Sequence, residues 1–101
     1  MDEVAIGSVR PFPSAAPDKA QAIKVLEEAA EVFGAWQLRA ESAEIGLSTR
    51  WIDEDLLEEL ADCITACANL AAALGAHDLR PYIGACERKN AERGRYVNHV
   101  L

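Results

Sequence analysis

The sequence has few aromatic residues, a small share of positive charge and no hydrophobic run long enough to cross a membrane. Aromatic residues make up 6% of the chain although 50% of it is hydrophobic, and the abundance of alanine favours closely packed helices. No apolar stretch approaches the roughly 20 residues that a transmembrane helix needs. The N-terminus also lacks the basic and apolar blocks of a signal peptide. We therefore expect no membrane partner.

Positive charge is the other scarce component. The chain has 10 basic and 17 acidic side chains, a formal net charge of −7. An excess of negative charge repels polyanions, so we expect neither nucleic acid nor an anionic membrane surface as a partner. An acidic protein that handles phosphates has to recruit metal ions to do so.

Cysteine and histidine occur in numbers that favour neither disulfides nor a thiolate metal site. The three cysteines are Cys63, Cys67 and Cys86, an odd number in a chain without an export signal. Cys63 and Cys67 have the spacing of half a metal site, but neither His77 nor His99 forms a ligand-spaced pair with another residue. We interpret the cysteines as reduced, buried, small apolar residues in a cytoplasmic protein.

The length of 101 residues is suited to one domain with a modest core. Residues 1–17 contain three of the four prolines and show no helical period, so they are expected to form an extended N-terminal arm that packs on the body or on a partner subunit, or is partly disordered. Residues 18–101 are expected to form a single all-α domain, a small antiparallel helical bundle completed by oligomerisation.

The first helix should begin near Asp18, an acceptable N-cap residue. Its apolar stripe consists of Ile23, Leu26, Ala30 and Phe33. Gly34 costs about 1 kcal/mol inside a helix relative to alanine, so the helix either ends near Leu38 or continues to Ile45. A third helix should open at residues 78–81, with Pro81 in its first turn.

The central helix, predicted from Asp53 to Gly75, organises the rest of the chain. Its apolar seam has the 3-4-3-4-3 spacing of a buried helix and consists of Leu57, Leu60, Ile64, Cys67, Ala71 and Leu74. The opposite side carries Glu59 and Asp62 and continues through the small or uncharged residues Ala66, Asn69 and Ala73. We infer that this second side is also covered, which leaves the two carboxylates in a lined cleft.

Two pairs of carboxylates can meet between the first and central helices. Glu28 and Glu31 are one turn apart, as are Glu59 and Asp62, so each pair leaves one side of its helix. If the first helix ends near Leu38 and the central helix begins near Asp53, Glu31 and Asp62 each lie about two turns from the connection, so an antiparallel hairpin brings both pairs to one level. Four carboxylates at one level form an all-oxygen cage for a hard divalent cation, Mg²⁺ or Mn²⁺.

A basic segment follows in the third helix. It contains Lys89, Asn90, Arg93 and Arg95. These residues either hold an anionic ligand opposite the carboxylates or complement the negative end of their own helix. The sequence leaves both interpretations open.

Together these motifs resemble the MazG-like, all-α nucleoside triphosphate pyrophosphohydrolases. The resemblance rests on EEAAE at residues 27–31 and ELAD at residues 59–62, which match the family's EExxE and ExxD motifs, and on KNAERG at residues 89–94. It spans residues 18–96, nearly the whole chain.

The resemblance implies Mg²⁺-dependent hydrolysis of a nucleoside triphosphate to the monophosphate and pyrophosphate in nucleotide-pool house-cleaning, with Mn²⁺ as a possible substitute. It implies that Glu28, Glu31, Glu59 and Asp62 bind the metal and that a first-motif carboxylate, Glu27 or Glu28, accepts the proton of the attacking water. Lys89, Asn90 and Arg93 would bind the substrate, and the chain would form a homodimer or homotetramer.

Three other functions remain open. The chain is alternatively a non-catalytic helical oligomerisation or interaction module, or a pyrophosphohydrolase acting on a phosphoribosyl-ATP-type substrate. A di-iron carboxylate bundle is the least favoured, because that class draws histidine ligands from Glu-x-x-His motifs and no histidine lies near the carboxylates in sequence.

Overall fold

The structure, a computed structural model, describes residues 3–97 and is all-helical. Its elements are α1 (Lys19–Glu44), α2 (Arg50–Ala73) and α3 (Arg80–Glu92), with no strand among the described residues. The all-α prediction is confirmed. Met1, Asp2 and residues 98–101, which the sequence places in the arm and in a short tail containing His99, lie outside the described residues. None of the helices described combines the length and hydropathy that crossing a membrane would require.

The first helix begins as expected and follows the longer of its two predicted courses. The carboxylate of Asp18, the N-cap residue, accepts a hydrogen bond of 2.9 Å from the backbone N–H of Gln21. The helix continues through Gly34 to Glu44. A single helical glycine costs about 1 kcal/mol, which the remaining turns of a long helix offset.

The central helix begins at Arg50, three residues before the predicted start at Asp53. The acidic residues of its N-terminal half therefore lie one turn further into the helix, although Asp53 is still within the first turn. Gly75 follows the C-terminus with a φ of 88°, the left-handed conformation expected there.

The first two helices form an antiparallel hairpin. Arg39 of α1 donates a short hydrogen bond to Asp53 of α2, and the hydroxyl of Thr49 donates to the same carboxylate at 3.2 Å. These contacts fix the relation of the helices beside their connection. The α1 helix follows the longer of its predicted courses and α2 begins three residues earlier than predicted, and Glu28 lies level with Glu59 and Asp62.

The side of α2 that meets α1 is opposite to its predicted apolar seam, which we call the leucine seam. Ala66 and Asn69 are only 3% and 2% exposed, whereas Leu57 and Leu74 are 64% and 70% exposed. The prediction that the small-residue side is covered is confirmed, but the prediction that the leucine seam is buried is wrong for the single chain. Small side chains let two helix backbones approach closely, and the bulkier leucines lie on the outside of the hairpin.

The apolar stripe of α1 is likewise exposed in its larger members, including Leu26 and Phe33. Phe33 stacks on Trp36 one turn away, with ring centroids 5.8 Å apart. The hairpin core is therefore thin, and the large apolar side chains of both helices face outward.

The third helix stands apart from the hairpin. Pro81 is in its first turn as predicted, but α3 makes no approach to α1 or α2 within 8 Å between Cα atoms in the described part of the chain. The radius of gyration is 16.6 Å, compared with about 13 Å for a compact chain of this length. The α3 helix therefore contributes almost nothing to the core of this chain.

The segment before α1 lies against the hairpin at one well-defined point. It contains no helix or strand over residues 3–17. The backbone N–H of Phe12 donates a 2.8 Å hydrogen bond to Oδ1 of Asn69, and a turn closes behind it through a bond from Ala15 N–H to the Phe12 carbonyl. The buried side chain of Asn69 thereby attaches the arm to the last turns of α2.

Candidate metal centre

Three carboxylates from the two acidic motifs converge between α1 and α2. One oxygen from each of Glu28, Glu59 and Asp62 lies within 4.8 Å of the other two. Glu59 and Asp62 leave the same side of α2 because they are one turn apart, and the antiparallel course of α1 brings Glu28 to their level. The predicted meeting of the two motifs is therefore present in the geometry of the hairpin.

Glu31 lies beside this group. A hydrogen bond with Glu28, repulsion by the charge of Glu28, partial desolvation and the nearby charge of Glu59 together raise the pKa of the Glu31 carboxyl above its ordinary value. Such an effect requires the carboxylates to be close, since like charges disfavour joint ionisation. We refer to Glu28, Glu31, Glu59 and Asp62 as the acidic cluster.

One oxygen of the acidic cluster lacks any donor. Glu59 Oε2 is shielded from solvent and has no hydrogen-bond partner among the described residues. A buried carboxylate oxygen without a donor or a cation costs free energy because it has lost its water. A cation or a donor at this oxygen would offset that cost.

The donor set fits a hard divalent cation. Mg²⁺ and Ca²⁺ bind oxygen ligands at about 2.0–2.6 Å, so two oxygens that share an ion lie at most about 5 Å apart. The 4.8 Å spread of the three carboxylate oxygens meets this limit. Carboxylates without histidine or thiolate favour magnesium, calcium or manganese over zinc or iron.

Glu27 and Glu28 are neighbours in sequence with different surroundings. The Glu28 side chain is 13% exposed and belongs to the acidic cluster, whereas Glu27 is 57% exposed. Lys24 contacts both, with Nζ 3.3 Å from Glu28 Oε1 and 3.5 Å from Glu27 Oε2. Its hydrogen bond with Glu28 and the charge of Glu28 are the main causes that raise the pKa of Lys24.

Two clefts flank the acidic cluster. The first has a volume of about 500 Å³ and is lined by Glu31, Gly34, Ala35, Leu38, Ile52, Asp55, Glu58 and Glu59. The second has a volume of about 210 Å³ and is lined by Phe12, Lys24, Glu28, Asp62, Thr65, Ala66 and Asn69. The cluster therefore faces a larger cleft whose charged lining residues are all acidic and a smaller cleft that also contains a lysine and an amide.

The predicted substrate-binding residues are not at the cluster in this chain. Lys89, Asn90 and Arg93 belong to α3 or its C-cap, which does not approach the hairpin among the described residues, and they line neither cleft. Asn90 instead accepts a 2.9 Å hydrogen bond from Arg95. Within this chain, the basic segment therefore lies away from the acidic cluster.

Lys24 and Asn69 are the site residues that the sequence motifs did not single out. Lys24 precedes Glu28 by one turn, a spacing that also describes an ordinary surface ion pair. Asn69 lies two turns after Asp62 on the same side of α2, and an amide between Ala66 and Ala73 on that side is the signal that would have identified it. Its role depends on Phe12, which is remote in sequence.

The cysteines supply no additional ligands. All three are free, and the expectation that they are buried is wrong for Cys67 and Cys86, which are exposed, while Cys63 is half-buried. Burial, followed by the proximity of Cys67, raises the pKa of the Cys63 thiol. A raised pKa disfavours the thiolate form that binds metals.

Comparison of the chain with protein-family models, with curated proteins and with solved structures gave no significant match. The acidic cluster and its two clefts are therefore the features from which a function for this chain has to be inferred.

Proposed function

We propose that the chain is a Mg²⁺-dependent nucleoside triphosphate pyrophosphohydrolase of the MazG-like kind. The observation that carries the proposal is the convergence of EEAAE and ELAD carboxylates between two helices, with Glu59 Oε2 buried and without a donor. A surface salt-bridge network would instead pair its carboxylates with basic residues and water. Here the only basic side chain in contact with the cluster, among the described residues, is Lys24.

In the proposed reaction a water oxygen attacks the α-phosphorus of the nucleotide. The bond from that phosphorus to the α,β-bridging oxygen breaks, and pyrophosphate leaves with the electron pair. Glu28, Glu31, Glu59 and Asp62 would hold a Mg²⁺ ion, which when bound would supply neutralising charge for the phosphate oxygens. A carboxylate of the first motif would accept the proton of the attacking water.

Glu28 is better placed than Glu27 to accept that proton. Glu28 lies in the acidic cluster, whereas Glu27 is largely exposed and is held by Lys24. A general base has to be within hydrogen-bond reach of the proton that it removes. Within the proposal, Glu27 serves to orient Lys24, and its replacement should reduce activity much less than replacement of Glu28.

The second candidate is a non-catalytic helical interaction module. The exposed leucine seam of α2 and the separation of α3 from the hairpin favour it, because both leave surfaces that another polypeptide could cover. This candidate and the pyrophosphohydrolase differ in whether the acidic cluster turns over a nucleotide.

The test is pyrophosphate release from a panel of canonical and modified NTPs and dNTPs, with phosphoribosyl-ATP included, in the presence of Mg²⁺. We expect turnover of at least one substrate by the wild-type chain and none in excess chelator. Glu59→Gln and Asp62→Asn should each lower kcat by at least about a hundredfold, since each removes a charge from the metal site.

Glu54→Gln is the matched control. Glu54 is exposed on the same helix and lines neither cleft, so the loss of one negative charge there should leave turnover unchanged. Circular dichroism should show that all three variants remain helical. Full activity in Glu59→Gln and Asp62→Asn, or turnover that persists without a divalent cation, would contradict the metal-dependent mechanism.

A further inference from the structure

We propose that the smaller cleft binds the polyphosphate chain of the substrate, with Lys24 and Asn69 as the side chains that donate to its oxygens. This inference rests on the proposed function, since it assigns the place of the phosphates relative to the acidic cluster. It identifies phosphate-binding residues within the hairpin itself, independent of the basic segment of α3.

The charges of the two clefts decide between them. The larger cleft is lined by four carboxylates and by no basic residue, so it repels an anion even when one divalent ion is bound nearby. The smaller cleft has a lysine and an asparagine on its walls. Among the described residues, the basic and amide side chains that a polyphosphate would meet at the acidic cluster lie on the side of the smaller cleft.

The smaller cleft opens directly onto the metal-binding carboxylates. Glu28 and Asp62 belong both to its lining and to the trio of converging oxygens. A polyphosphate in this cleft would therefore lie within reach of an ion held by the cluster. Its volume of about 210 Å³ suits a phosphate chain better than a complete nucleotide, which leaves the nucleoside to extend beyond the cleft.

Lys24 has the position and freedom to contact a phosphate. Its side chain is 52% exposed, and its ammonium group lies 3.3 Å from Glu28 Oε1. An ammonium group has three donors and a compact charge on a flexible stem. Lys24 can therefore keep its ion pair with Glu28 and donate to a phosphate oxygen at the same time. When a divalent ion neutralises the carboxylates, the lysine is freer to turn to the incoming anion.

Asn69 supplies a donor whose orientation is fixed. The residue is 2% exposed, and its Oδ1 accepts the backbone N–H of Phe12 at 2.8 Å. That bond identifies the oxygen end of the amide, so the nitrogen end is the one left to donate. The Asn69 amide nitrogen donates to no other group in the part of the chain that the structure describes, and the residue lines the cleft.

The experiment measures binding of inorganic pyrophosphate with Mg²⁺ by calorimetry and binding of Mn²⁺ alone by electron paramagnetic resonance. Lys24→Met removes the ammonium group. Asn69→Asp keeps an oxygen to accept the Phe12 N–H but removes the amide donor. We expect each change to weaken Mg²⁺-pyrophosphate binding about tenfold or more, while Mn²⁺ binding stays the same or becomes tighter because a positive charge is lost or a negative one gained beside the ion.

Lys19→Met and Gln37→Glu are the matched controls. They make the same changes of charge at exposed positions of α1 outside both clefts, so pyrophosphate binding should remain within about twofold of wild type. Lys24→Arg retains the positive charge and should preserve most of the affinity. Because Lys24 is exposed, its variants test the inference even if Asn69→Asp does not fold.

Three results would overturn the inference: no binding of Mg²⁺-pyrophosphate by the wild type, wild-type affinity in both Lys24→Met and Asn69→Asp, or a parallel loss of Mn²⁺ and pyrophosphate binding. The last result would mean that Lys24 merely positions Glu28. Failure of the proposed function is distinguishable, because it appears as an absence of nucleotide turnover by the wild-type chain. Turnover with unchanged pyrophosphate affinity in the variants would refute only the inference.

Discussion

At the scale of single residues, Glu31 shows how the acidic cluster lowers the free energy of unfolding of the protein without a metal ion. It lies beside Glu28 and Glu59, and their proximity raises its pKa. Carboxylates brought together by folding repel one another, whereas they are far apart in the unfolded chain. Under the proposed function a bound divalent cation would offset this repulsion, so we expect the acidic cluster to lower the free energy of unfolding when no cation is bound.

The raised pKa of Glu31 predicts how the stability of the metal-free protein depends on pH. A raised pKa means that the folded chain retains a proton that the unfolded chain has already released, so folding is favoured where that proton is bound. This contribution is fully present below the ordinary glutamate value of 4.5 and is lost as the pH rises through the higher pKa of the folded protein. The free energy of unfolding should therefore fall over that interval.

Urea unfolding in chelator at a series of pH values measures this dependence. Glu31→Gln should flatten the fall that begins above the ordinary glutamate value and should raise stability at neutral pH. Glu54→Gln, which changes the charge by the same amount on an exposed surface, should retain the wild-type profile. Superimposable profiles for wild type and Glu31→Gln would show that Glu31 does not carry the effect.

The convergence of the carboxylates was predictable from the sequence because their spacing alone places each pair on one side of a helix. Glu28, Glu59 and Asp62 are found where the motifs predict. The contribution of Asn69 was not predictable, since it is defined by a hydrogen bond to Phe12, 57 residues away in the chain. Periodicity describes one helix at a time and carries no information about such a contact.

At the scale of helices, the sequence predicted the existence and number of the helices better than it predicted which side of each helix is buried. The apolar seam of α2 has regular helical spacing, yet Leu57 and Leu74 are exposed while Ala66 and Asn69 are buried. Periodicity identifies a stripe but cannot show which stripe a neighbour covers. A helix with two apolar sides has two possible contacts, and the neighbour of α2 within the chain occupies the side with the smaller residues.

The ends of the helices follow local rules that the sequence does reveal. After α1, Gly46 has a φ of 79°. Its N–H bonds to the Ala43 carbonyl, and the N–H of Leu47 bonds to the Ser42 carbonyl. This pattern is the Schellman motif, which requires a left-handed residue after the helix. The α1 helix reaches Glu44 because Gly34 does not interrupt it.

Two glycine substitutions should therefore have opposite effects on stability. Gly46→Ala forces a side chain into the left-handed region and should lower the free energy of unfolding by about 1–2 kcal/mol. Gly34→Ala should raise it by about 0.5–1 kcal/mol, because Gly34 is helical and a Cβ there meets no atom within 4 Å. Chemical denaturation of the two variants beside wild type measures both. If both substitutions changed the free energy of unfolding equally and in the same direction, Gly46 would not be the left-handed residue that ends α1.

At the scale of the whole molecule, a single copy of the chain exposes more surface than a compact monomer of its mass. Its accessible surface is 8425 Å², against about 5,600 Å² for a typical folded monomer of this mass. The excess is larger than the roughly 800 Å² that each partner buries in a standard interface. The α3 helix lies apart from the hairpin, and large apolar side chains are exposed on all three helices. We therefore expect the chain to associate with further copies of itself.

The interface that we expect lies on the leucine seam of α2. The opposite side of α2, which contains Ala73, is not free for this contact, because Ala73 is half-buried within the chain and a charge there would disturb the hairpin itself. Leu57 is 64% exposed and lines neither cleft. In a monomer, Leu57→Glu should change stability by no more than about 0.5 kcal/mol. In an oligomer that covers the seam, the same change buries an unpaired charge and should lower the molar mass to that of one chain in light scattering at several concentrations.

Leu47→Glu is the matched control, because Leu47 is 59% exposed in the connection between α1 and α2 and its replacement should leave the oligomer intact. A wild-type protein that stays monomeric at high concentration, or an oligomer that tolerates Leu57→Glu, would show that the seam is not the interface.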